Sequence, residues 1–187
     1  MRFVAHMAVL ALVSLQPQPL AAEDLFDAGS GLRIAAYRAP VPGSVPGGRV
    51  IGADDLARIA AEGALLLDVL PAPGHMTRPD GSWIMPERHQ TIAGAVWLPE
   101  TGRGDIAPDI ADYLDQSLAL CTGGKRAHPI AVFCRSDCWM SWNAVQRIAG
   151  LGYDNLYWFP GGIEEWQDLG RPMQTAIPLP VGAAACR

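Results

Sequence analysis

Residues 130–150, IAVFCRSDCWMSWNAVQRIAG, decide the fold of this chain. The apolar run 130–133 predicts a short strand, and it leads directly into Cys134, with Cys138 following in the same loop. Residues 141–149 then predict a helix. Because a helix N-terminus carries partial positive charge, a thiol held in such a loop has a lowered pKa. The alternative is a structural disulfide or an inert buried thiol.

Strands and helices alternate on both sides of this segment. Asp54 is the expected N-cap of an upstream helix, and Gly63 follows its end. The predicted helices cover 54–61, 109–120, 141–149 and 161–166, and the predicted strands cover 64–69, 95–99, 130–134 and 155–158. This alternation predicts an α/β fold with a central, mostly parallel sheet flanked by helices. Ligands of such sheets bind beyond the carboxyl ends of the strands, where Asp68 and Cys134 both lie.

The length and the composition indicate one domain. The chain has 187 residues, which is enough for a substantial core, and we expect this core domain over residues 50–175. The formal net charge is -5 and there is no long basic run, so nucleic acid is not an expected partner. Residues 23–49 are rich in Pro and Gly and predict an extended arm on the domain surface, and residues 176–187 form a C-terminal tail.

Residues 1–22 resemble a cleavable signal peptide. Arg2 provides the positive start, residues 4–15 are nearly all apolar, and residues 20–22 resemble a cleavage site before Glu23. The apolar run is short for the alternative, which is a single membrane anchor. We therefore expect export to the periplasm and no membrane span after signal cleavage. Disulfides persist in that compartment.

The cysteines leave several pairings open. The chain has four of them, and four cysteines allow three complete sets of disulfides. In one set Cys134 pairs locally with Cys138, and Cys121 pairs with Cys186. The second of these bonds would tie the C-terminal tail to the loop before the central strand. Alternatively, Cys186 is a free thiol near the chain end.

Several segments, in the expected order along the chain, resemble the rhodanese-like domain family. They are 66–69 (LLDV), the first buried strand; 91–99 (TIAGAVWLP); 134–136 (CRS), the start of the active-site loop; 152–157 (GYDNLY); and 160–166 (PGGIEEW). The resemblance as a whole covers roughly residues 50–173. The resemblance implies a single rhodanese-like domain with sulfur-transfer chemistry at the loop cysteine.

A narrower resemblance involves the loop and the helix after it. Residues 137–144, DCWMSWNA, resemble the CXXCW-motif rhodanese-like proteins associated with catabolism that depends on pyrroloquinoline quinone (PQQ). Residues 37–42 and 96–99 resemble the same group. These proteins accompany periplasmic quinoprotein alcohol dehydrogenases and cytochromes. The resemblance therefore implies PQQ-dependent alcohol oxidation as the pathway, and such a dehydrogenase or cytochrome as a partner, more firmly than it implies a reaction.

The loop departs from that of catalytic rhodaneses, which place an Arg five residues after the Cys. Here the loop is one residue longer, Met140 stands at the Arg position, and Cys138 and Trp139 fill the loop. Leu70 replaces the Arg beside the first Asp, and Thr91 replaces the His that precedes the next strand. A loop without its Arg neutralises a dianion poorly, which disfavours phosphoryl transfer.

Cys134 is the expected nucleophile by position, because loop amides can stabilise an anionic sulfur there. Arg135, the only cation expected near the loop, either recruits thiosulfate or faces solvent. The residues expected to bind substrate or shape the loop are Arg135, Ser136, Asp137, Trp139, Met140 and Ser141. We expect Asp68 to support the Cys134 loop, either by capping the sheet edge or by accepting loop amides, rather than to act in acid–base catalysis.

The second cysteine, Cys138, leaves three uses open. It could resolve a persulfide on Cys134, which releases sulfide and leaves a disulfide, or the two residues could cycle as a dithiol and a disulfide. The pair could instead be a purely structural disulfide in a vestigial site. Two thiols could also bind a soft metal such as copper(I), but two ligands alone give weak support, and no metal or cofactor is expected.

The aromatic and histidine residues near the loop have simpler interpretations. We expect Trp139 to line a pocket and Trp142 to lie in the core. His75 and His89 lie in or beside a long Pro- and Gly-containing insert that spans residues 71–86. No metal-ligand spacing involves them, so we expect both to be surface loop residues.

Two functional hypotheses result. In the first, the protein is an exported enzyme, either a rhodanese-like sulfurtransferase or a thiol–disulfide redox protein, which acts on sulfane-sulfur or thiol substrates at Cys134 and Cys138. In the second, it is a non-catalytic accessory protein. It binds a periplasmic quinoprotein dehydrogenase or cytochrome through the same side of the sheet, where the strands end. The missing Arg favours the accessory, and the loop position of the cysteine favours the enzyme.

Overall fold

The candidate site lies at the carboxyl end of the central strand of a five-stranded parallel sheet. The computed structural model describes residues 25–186, so the predicted signal segment lies outside the described residues. The strands are β1 (Arg49–Val50), β2 (Leu65–Asp68), β3 (Met76–Thr77), β4 (Trp83–Ile84), β5 (Gln90–Ile92), β6 (Val96–Trp97), β7 (Ile130–Phe133), β8 (Leu156–Phe159) and β9 (Met173–Thr175). The helices are α1 (Ala53–Ala61), α2 (Pro108–Thr122), α3 (Trp139–Gly150) and α4 (Gly162–Asp168).

The strand order of the main sheet is β1-β8-β7-β2-β6, and every neighbouring pair is parallel. This confirms the predicted α/β fold with a central parallel sheet flanked by helices. Strand β7 lies at the centre and all four of its residues are buried. Its register places Phe133 beside Asp68 of β2. The loop that begins at Cys134 therefore starts next to the Asp68 carboxylate.

The sheet separates two apolar layers because successive strand residues point to opposite faces. Val132 packs with Val145 and Ile148 of α3 on one face. Phe133 packs with Leu56 of α1 on the other face. The predicted strand over residues 130–134 is thus confirmed as β7, Ile130–Phe133.

Two small antiparallel pairs were not predicted. One is β3–β4, within the insert, and the other is β5–β9, which joins residues 90–92 to residues 173–175. Each of these strands has only two or three residues, which is too short for an alternating pattern to stand out. Their pairing depends on contacts between distant parts of the chain.

The four helices that the structure describes all start within two residues of the predicted positions, and two of the differences matter. The N-cap of α1 is Gly52, so Asp54 lies inside the first turn and its predicted role as the N-cap is wrong. Helix α3 begins at Trp139, two residues before the predicted start, and Cys138 is its N-cap. This second difference matters for the chemistry, because it puts a thiol directly at a helix N-terminus.

The described part of the arm is held to the domain by buried polar contacts. Asn143 of α3 is buried; its side-chain amide donates to the Arg33 carbonyl at 2.8 Å and its Oδ1 accepts the Arg33 amide at 2.9 Å. Arg33 is itself buried. An unpaired buried amide costs about 1–3 kcal/mol, so these reciprocal bonds favour a fixed position for the arm.

The C-terminal tail also belongs to the folded core. The Leu179 carbonyl accepts hydrogen bonds from Trp83 Nε1 at 3.0 Å and from the Tyr113 hydroxyl at 2.6 Å. A disulfide joins Cys121, near the end of α2, to Cys186. This settles the pairing of these two cysteines. No helix within residues 25–186 is long and apolar enough to cross a bilayer.

Candidate functional site

Two free thiols lie in contact at the carboxyl end of the central strand. Cys134 follows β7 and Cys138 caps α3, and their sulfur atoms are 2.6 Å apart. Their side chains are 0% and 3% exposed, respectively. A disulfide requires a sulfur–sulfur distance of about 2.05 Å, so a small movement would join them. The structure therefore brings together the two sulfurs that the sequence placed in one loop.

The electrostatics of the pair place the negative charge on Cys138. Burial raises the pKa of the Cys134 thiol, and contact with Cys138 raises it further. The pKa of Cys138 is lowered to about 7, chiefly because Cys134 donates a hydrogen bond to it, with the amides of Met140 and Arg135 adding to the effect. An N-cap thiol gains in the same way from the helix N-terminus. The pair thus shares one proton and one negative charge near neutral pH.

The first turn of α3 is fixed by buried hydrogen bonds. The Ser141 hydroxyl donates to the Cys138 carbonyl at 3.2 Å and accepts from Trp158 Nε1 of β8 at 2.9 Å. Met140 is buried in the core cluster that also contains both thiols. Ser141 and Met140 therefore hold the helix start, and with it the position of the Cys138 sulfur.

The side chain of Glu164 occupies the outer side of the loop. One carboxylate oxygen accepts a hydrogen bond from Arg135 Nε at 2.7 Å, and the other accepts a hydrogen bond from the Ser136 amide at 2.9 Å. Helix α4 can approach this closely because Gly162 has no side chain; an added Cβ would lie 2.5 Å from the Cys134 carbonyl oxygen. Arg135 is therefore paired with a carboxylate. Sequence reasoning did not identify Glu164.

A second cation reaches the loop from the arm. Arg38 donates from its guanidinium to the Ser136 carbonyl at 2.8 Å, and its charge helps to lower the pKa of Cys138. The expectation that Arg135 is the only cation near the loop is therefore wrong. Arg38 precedes the loop by about one hundred residues, and a local motif cannot reveal this contact.

Backbone pairing holds the arm and the loop together. Arg38 and Cys138 form an isolated antiparallel bridge. The Trp139 amide donates to the Tyr37 carbonyl at 2.9 Å, and the Ala39 amide donates to the Asp137 carbonyl at 3.1 Å. Asp137 adopts a φ of 49°, in the left-handed region that a short polar residue tolerates. The arm thus covers one side of the thiol pair.

Both tryptophans of the α3 start lie beneath the arm. Trp139 Nε1 donates to the Pro40 carbonyl at 3.1 Å, and the Arg33 guanidinium lies 4.5 Å from the centre of a Trp139 ring. Trp142 is half-buried and donates to the Ser44 carbonyl at 3.0 Å. The structure therefore gives Trp139 a role in holding the arm, and Trp142 packs at the core edge.

Asp68 supports the strands beside the loop instead of accepting loop amides. It is fully buried and accepts the Leu70 amide at 2.8 Å, the Thr91 hydroxyl at 2.6 Å and His89 Nε2 at 2.6 Å. The expected hydrogen bonds from the Cys134 loop are not among its contacts within residues 25–186. Thr91, which replaces the family His, thus still binds the Asp.

His89 is buried, and the expectation that it is a surface residue is wrong. Its side chain is 9% exposed and its ring lies against Trp97, with the ring centres 4.5 Å apart. His75, in contrast, is half-buried in the insert and contacts the Ala72 carbonyl through Nδ1 at 2.8 Å. No signal in the sequence distinguishes the two histidines, because the burial of His89 depends on Asp68 and Trp97.

A cleft opens beside the loop. It has a volume of about 300 Å³, and His89, Arg88, Met85 and Trp97 line one part of it, while Arg135, Ile163 and Gln167 line the part nearest to the loop. We call it the His89 cleft. Ile163 donates its amide to the Cys134 carbonyl at 3.0 Å, so this wall is in direct contact with the loop backbone. Residues 25–186 contain no cluster of three or more His, Cys, Asp or Glu side chains that could hold a metal ion.

A family model and a curated relative both match this chain, and both support a rhodanese-like domain. The model of the rhodanese-like domain family matches residues 52–169. The thiosulfate sulfurtransferase GlpE of Actinobacillus succinogenes is 30% identical over 118 residues, which cover 63% of this chain and 82% of that protein.

Two solved structures illustrate the structural similarity. A full-length protein from Lactobacillus plantarum has 18% identity and a TM-score of 0.45, with 67% of this chain and 87% of that chain covered. The polysulfide-sulfur transferase homodimer of Wolinella succinogenes has 16% identity and a TM-score of 0.44, with 68% and 79% covered.

Proposed function

Because this chain belongs to the rhodanese-like domain family, we propose that it carries sulfur on the Cys134–Cys138 pair, with Cys138 as the attacking thiolate. The observation that carries this proposal is the contact between two free, buried thiols at the N-terminus of α3. The thiolate is the nucleophilic form of cysteine. The lowered pKa of Cys138 makes that form available near neutral pH.

The proposed reaction has two parts. The Cys138 thiolate attacks the sulfane sulfur of a donor, the bond between that sulfur and the rest of the donor breaks, and the donor remnant leaves with the electron pair. Cys138 then carries a persulfide. An acceptor thiol can take the outer sulfur, or the Cys134 sulfur can attack the inner sulfur, which forms the Cys134–Cys138 disulfide and releases hydrogen sulfide. The second route needs an external thiol to restore the dithiol.

The charges around the loop favour a donor of low charge. The guanidinium of Arg135 is neutralised by Glu164, and Met140 stands where catalytic rhodaneses carry their Arg. Arg38, which donates to the Ser136 carbonyl, is then the cation that contacts the loop without a carboxylate partner among the described residues, and a single cation neutralises a dianion such as thiosulfate only in part. We therefore propose a persulfide or polysulfide as the donor class.

The reduced protein is expected to gain about 32 Da, the mass of one sulfur held as a persulfide, when it is incubated with cysteine persulfide. Intact mass spectrometry measures this change, and the adduct should form faster with the persulfide than with thiosulfate. The double variant Cys134→Ser/Cys138→Ser, which retains the Cys121–Cys186 disulfide, is the matched control and should gain nothing. No adduct from either donor, with a Cys134–Cys138 disulfide that resists reduction, would support a structural pair instead.

We also propose that this chemistry supports PQQ-dependent alcohol oxidation in the periplasm, after export through residues 1–22. The support is the resemblance of residues 137–144 and 37–42 to the CXXCW-motif group, together with the contact between these two segments across the Arg38–Cys138 bridge. The partner would be a quinoprotein dehydrogenase or a cytochrome of that pathway.

A strain that lacks the gene is expected to grow poorly on a short-chain alcohol and normally on another carbon source. Complementation with the wild-type chain should restore growth, whereas the Cys134→Ser/Cys138→Ser chain should not. Restoration by that double variant would instead support the non-catalytic accessory. Normal growth of the deletion strain on the alcohol would contradict the proposed pathway.

A further inference from the structure

The buried pair Asp68–His89 has the arrangement of an oriented acid–base group. Asp68 accepts three hydrogen bonds, from the Leu70 amide, the Thr91 hydroxyl and His89 Nε2, and these contacts fix the position of its carboxylate. A carboxylate at 2.6 Å from His89 Nε2 requires the proton on that nitrogen. The other ring nitrogen, Nδ1, then has a free lone pair whenever the imidazole is neutral.

The second ring nitrogen of His89 is not fully enclosed, although the residue as a whole is buried. Within residues 25–186 no protein group hydrogen bonds to His89 Nδ1, and the only buried side-chain nitrogen or oxygen without a partner is Arg147 Nε. The Nδ1 atom is therefore not enclosed in the core. Because His89 lines the cleft defined above, that cleft is the space into which Nδ1 opens. Contact with the Trp97 ring fixes the orientation of the imidazole.

The cleft lies next to the thiol loop. Arg135 and Ile163 form its wall on that side; Arg135 directly follows Cys134, and Ile163 is bonded to the Cys134 carbonyl. Its volume of about 300 Å³ lies at the lower end of the range for small-molecule sites. Met85 and Trp97 provide an apolar surface within it. The cleft thus has room for a small organic molecule beside Arg135 and Ile163.

We propose that the His89 cleft binds a low-molecular-weight thiol, the acceptor of the carried sulfur, and that His89 Nδ1 takes the proton from that thiol. The thiolate formed attacks the outer sulfur of the Cys138 persulfide, the bond between the two persulfide sulfurs breaks, and its electron pair remains on Cys138. The acceptor leaves as a persulfide, and the protonated His89 returns its proton to solvent. No external oxidant or reductant is needed.

This inference rests on the proposed sulfur carriage, and its test separates the two. The variant His89→Gln keeps a donor for Asp68 but has no basic nitrogen. Protein loaded with sulfur is mixed with free cysteine, and the formation of cysteine persulfide, which the internal disulfide route does not produce, is followed in time as the rate of unloading. We expect loading to be unchanged and unloading to be about 100-fold slower than in the wild type, which is a typical loss for a general base. His75→Gln, in the same insert, is the matched control and should unload at the wild-type rate.

A second acceptor distinguishes proton transfer from a structural role. An aryl thiol of low pKa is already ionised near neutral pH and needs no base. His89→Gln is therefore expected to unload to the aryl thiol at close to the wild-type rate, and added imidazole should speed unloading of His89→Ala to cysteine. Equal slowing with both thiols, or no slowing with cysteine, would overturn the assignment of His89. Failure of the wild type to load sulfur would overturn the sulfur-carriage proposal instead.

Discussion

Replacing both Cys121 and Cys186 with alanine is expected to lower the free energy of unfolding by about 4 kcal/mol. The disulfide between them closes a loop with a sequence separation of 65, and the entropy that a cross-link removes from the unfolded chain grows with loop length. The bond also holds the tail, whose Leu179 carbonyl accepts hydrogen bonds from Trp83 and Tyr113. Urea denaturation monitored by tryptophan fluorescence measures the change.

The wild type offers its own control for this prediction. When it is reduced under the same conditions, its unfolding free energy should approach that of the double alanine variant. The reduced variant should show no further loss, since its two remaining cysteines are already thiols. A variant that loses less than about 1 kcal/mol would contradict the prediction, because a loss of that size is no larger than that of an ordinary substitution.

Local patterns in the sequence predict the main sheet and its helices. Strand β7 is a wholly apolar run, and the apolar residues of α3 recur at helical spacing, so neither depends on knowledge of the rest of the chain. The position of the site can also be predicted, because the carboxyl ends of parallel strands all lie on one side of the sheet. Asp68 and Cys134 therefore lie where the sequence places them, at neighbouring strand ends.

The surroundings of the thiols could not be predicted in this way. Arg38, Glu164 and His89 reach the site from separate segments, and each is fixed by a contact with a residue far away in sequence. No periodicity or spacing rule relates such partners. A histidine in a Pro- and Gly-containing insert resembles any exposed loop residue until the buried carboxylate that binds it is known.

The start of α3 shows how a small boundary difference changes the chemistry. Pattern analysis locates helix ends only to within a few residues. Moving the start from Ser141 to Trp139 makes Cys138 the N-cap and leaves Cys134 in the buried strand end. The family position of the first cysteine favours Cys134 as the nucleophile, whereas the helix N-terminus favours Cys138.

The two single serine variants are expected to behave differently in sulfur uptake. Cys138→Ser removes the thiolate at the helix N-terminus and leaves Cys134, whose pKa burial raises, so uptake from cysteine persulfide should fall at least about tenfold near pH 7. Cys134→Ser retains the Cys138 sulfur and a hydroxyl that can donate to it. This variant should still take up sulfur, but it cannot form the internal disulfide, so the persulfide should accumulate and hydrogen sulfide release should stop.

The pH dependence of the wild-type uptake rate tests the same assignment independently. The folded-state pKa of Cys138 is lowered to about 7, so the thiolate is lost as the pH falls through that value and is fully formed above it. The rate should therefore rise with pH through about 7 and then level off. Rapid mixing followed by mass spectrometry gives the uptake rates of the wild type and of the two serine variants. The intact Cys121–Cys186 disulfide serves as evidence that each variant is folded. If Cys134→Ser abolishes uptake while Cys138→Ser retains it, the first cysteine is the nucleophile and the helix N-terminus does not determine which sulfur reacts.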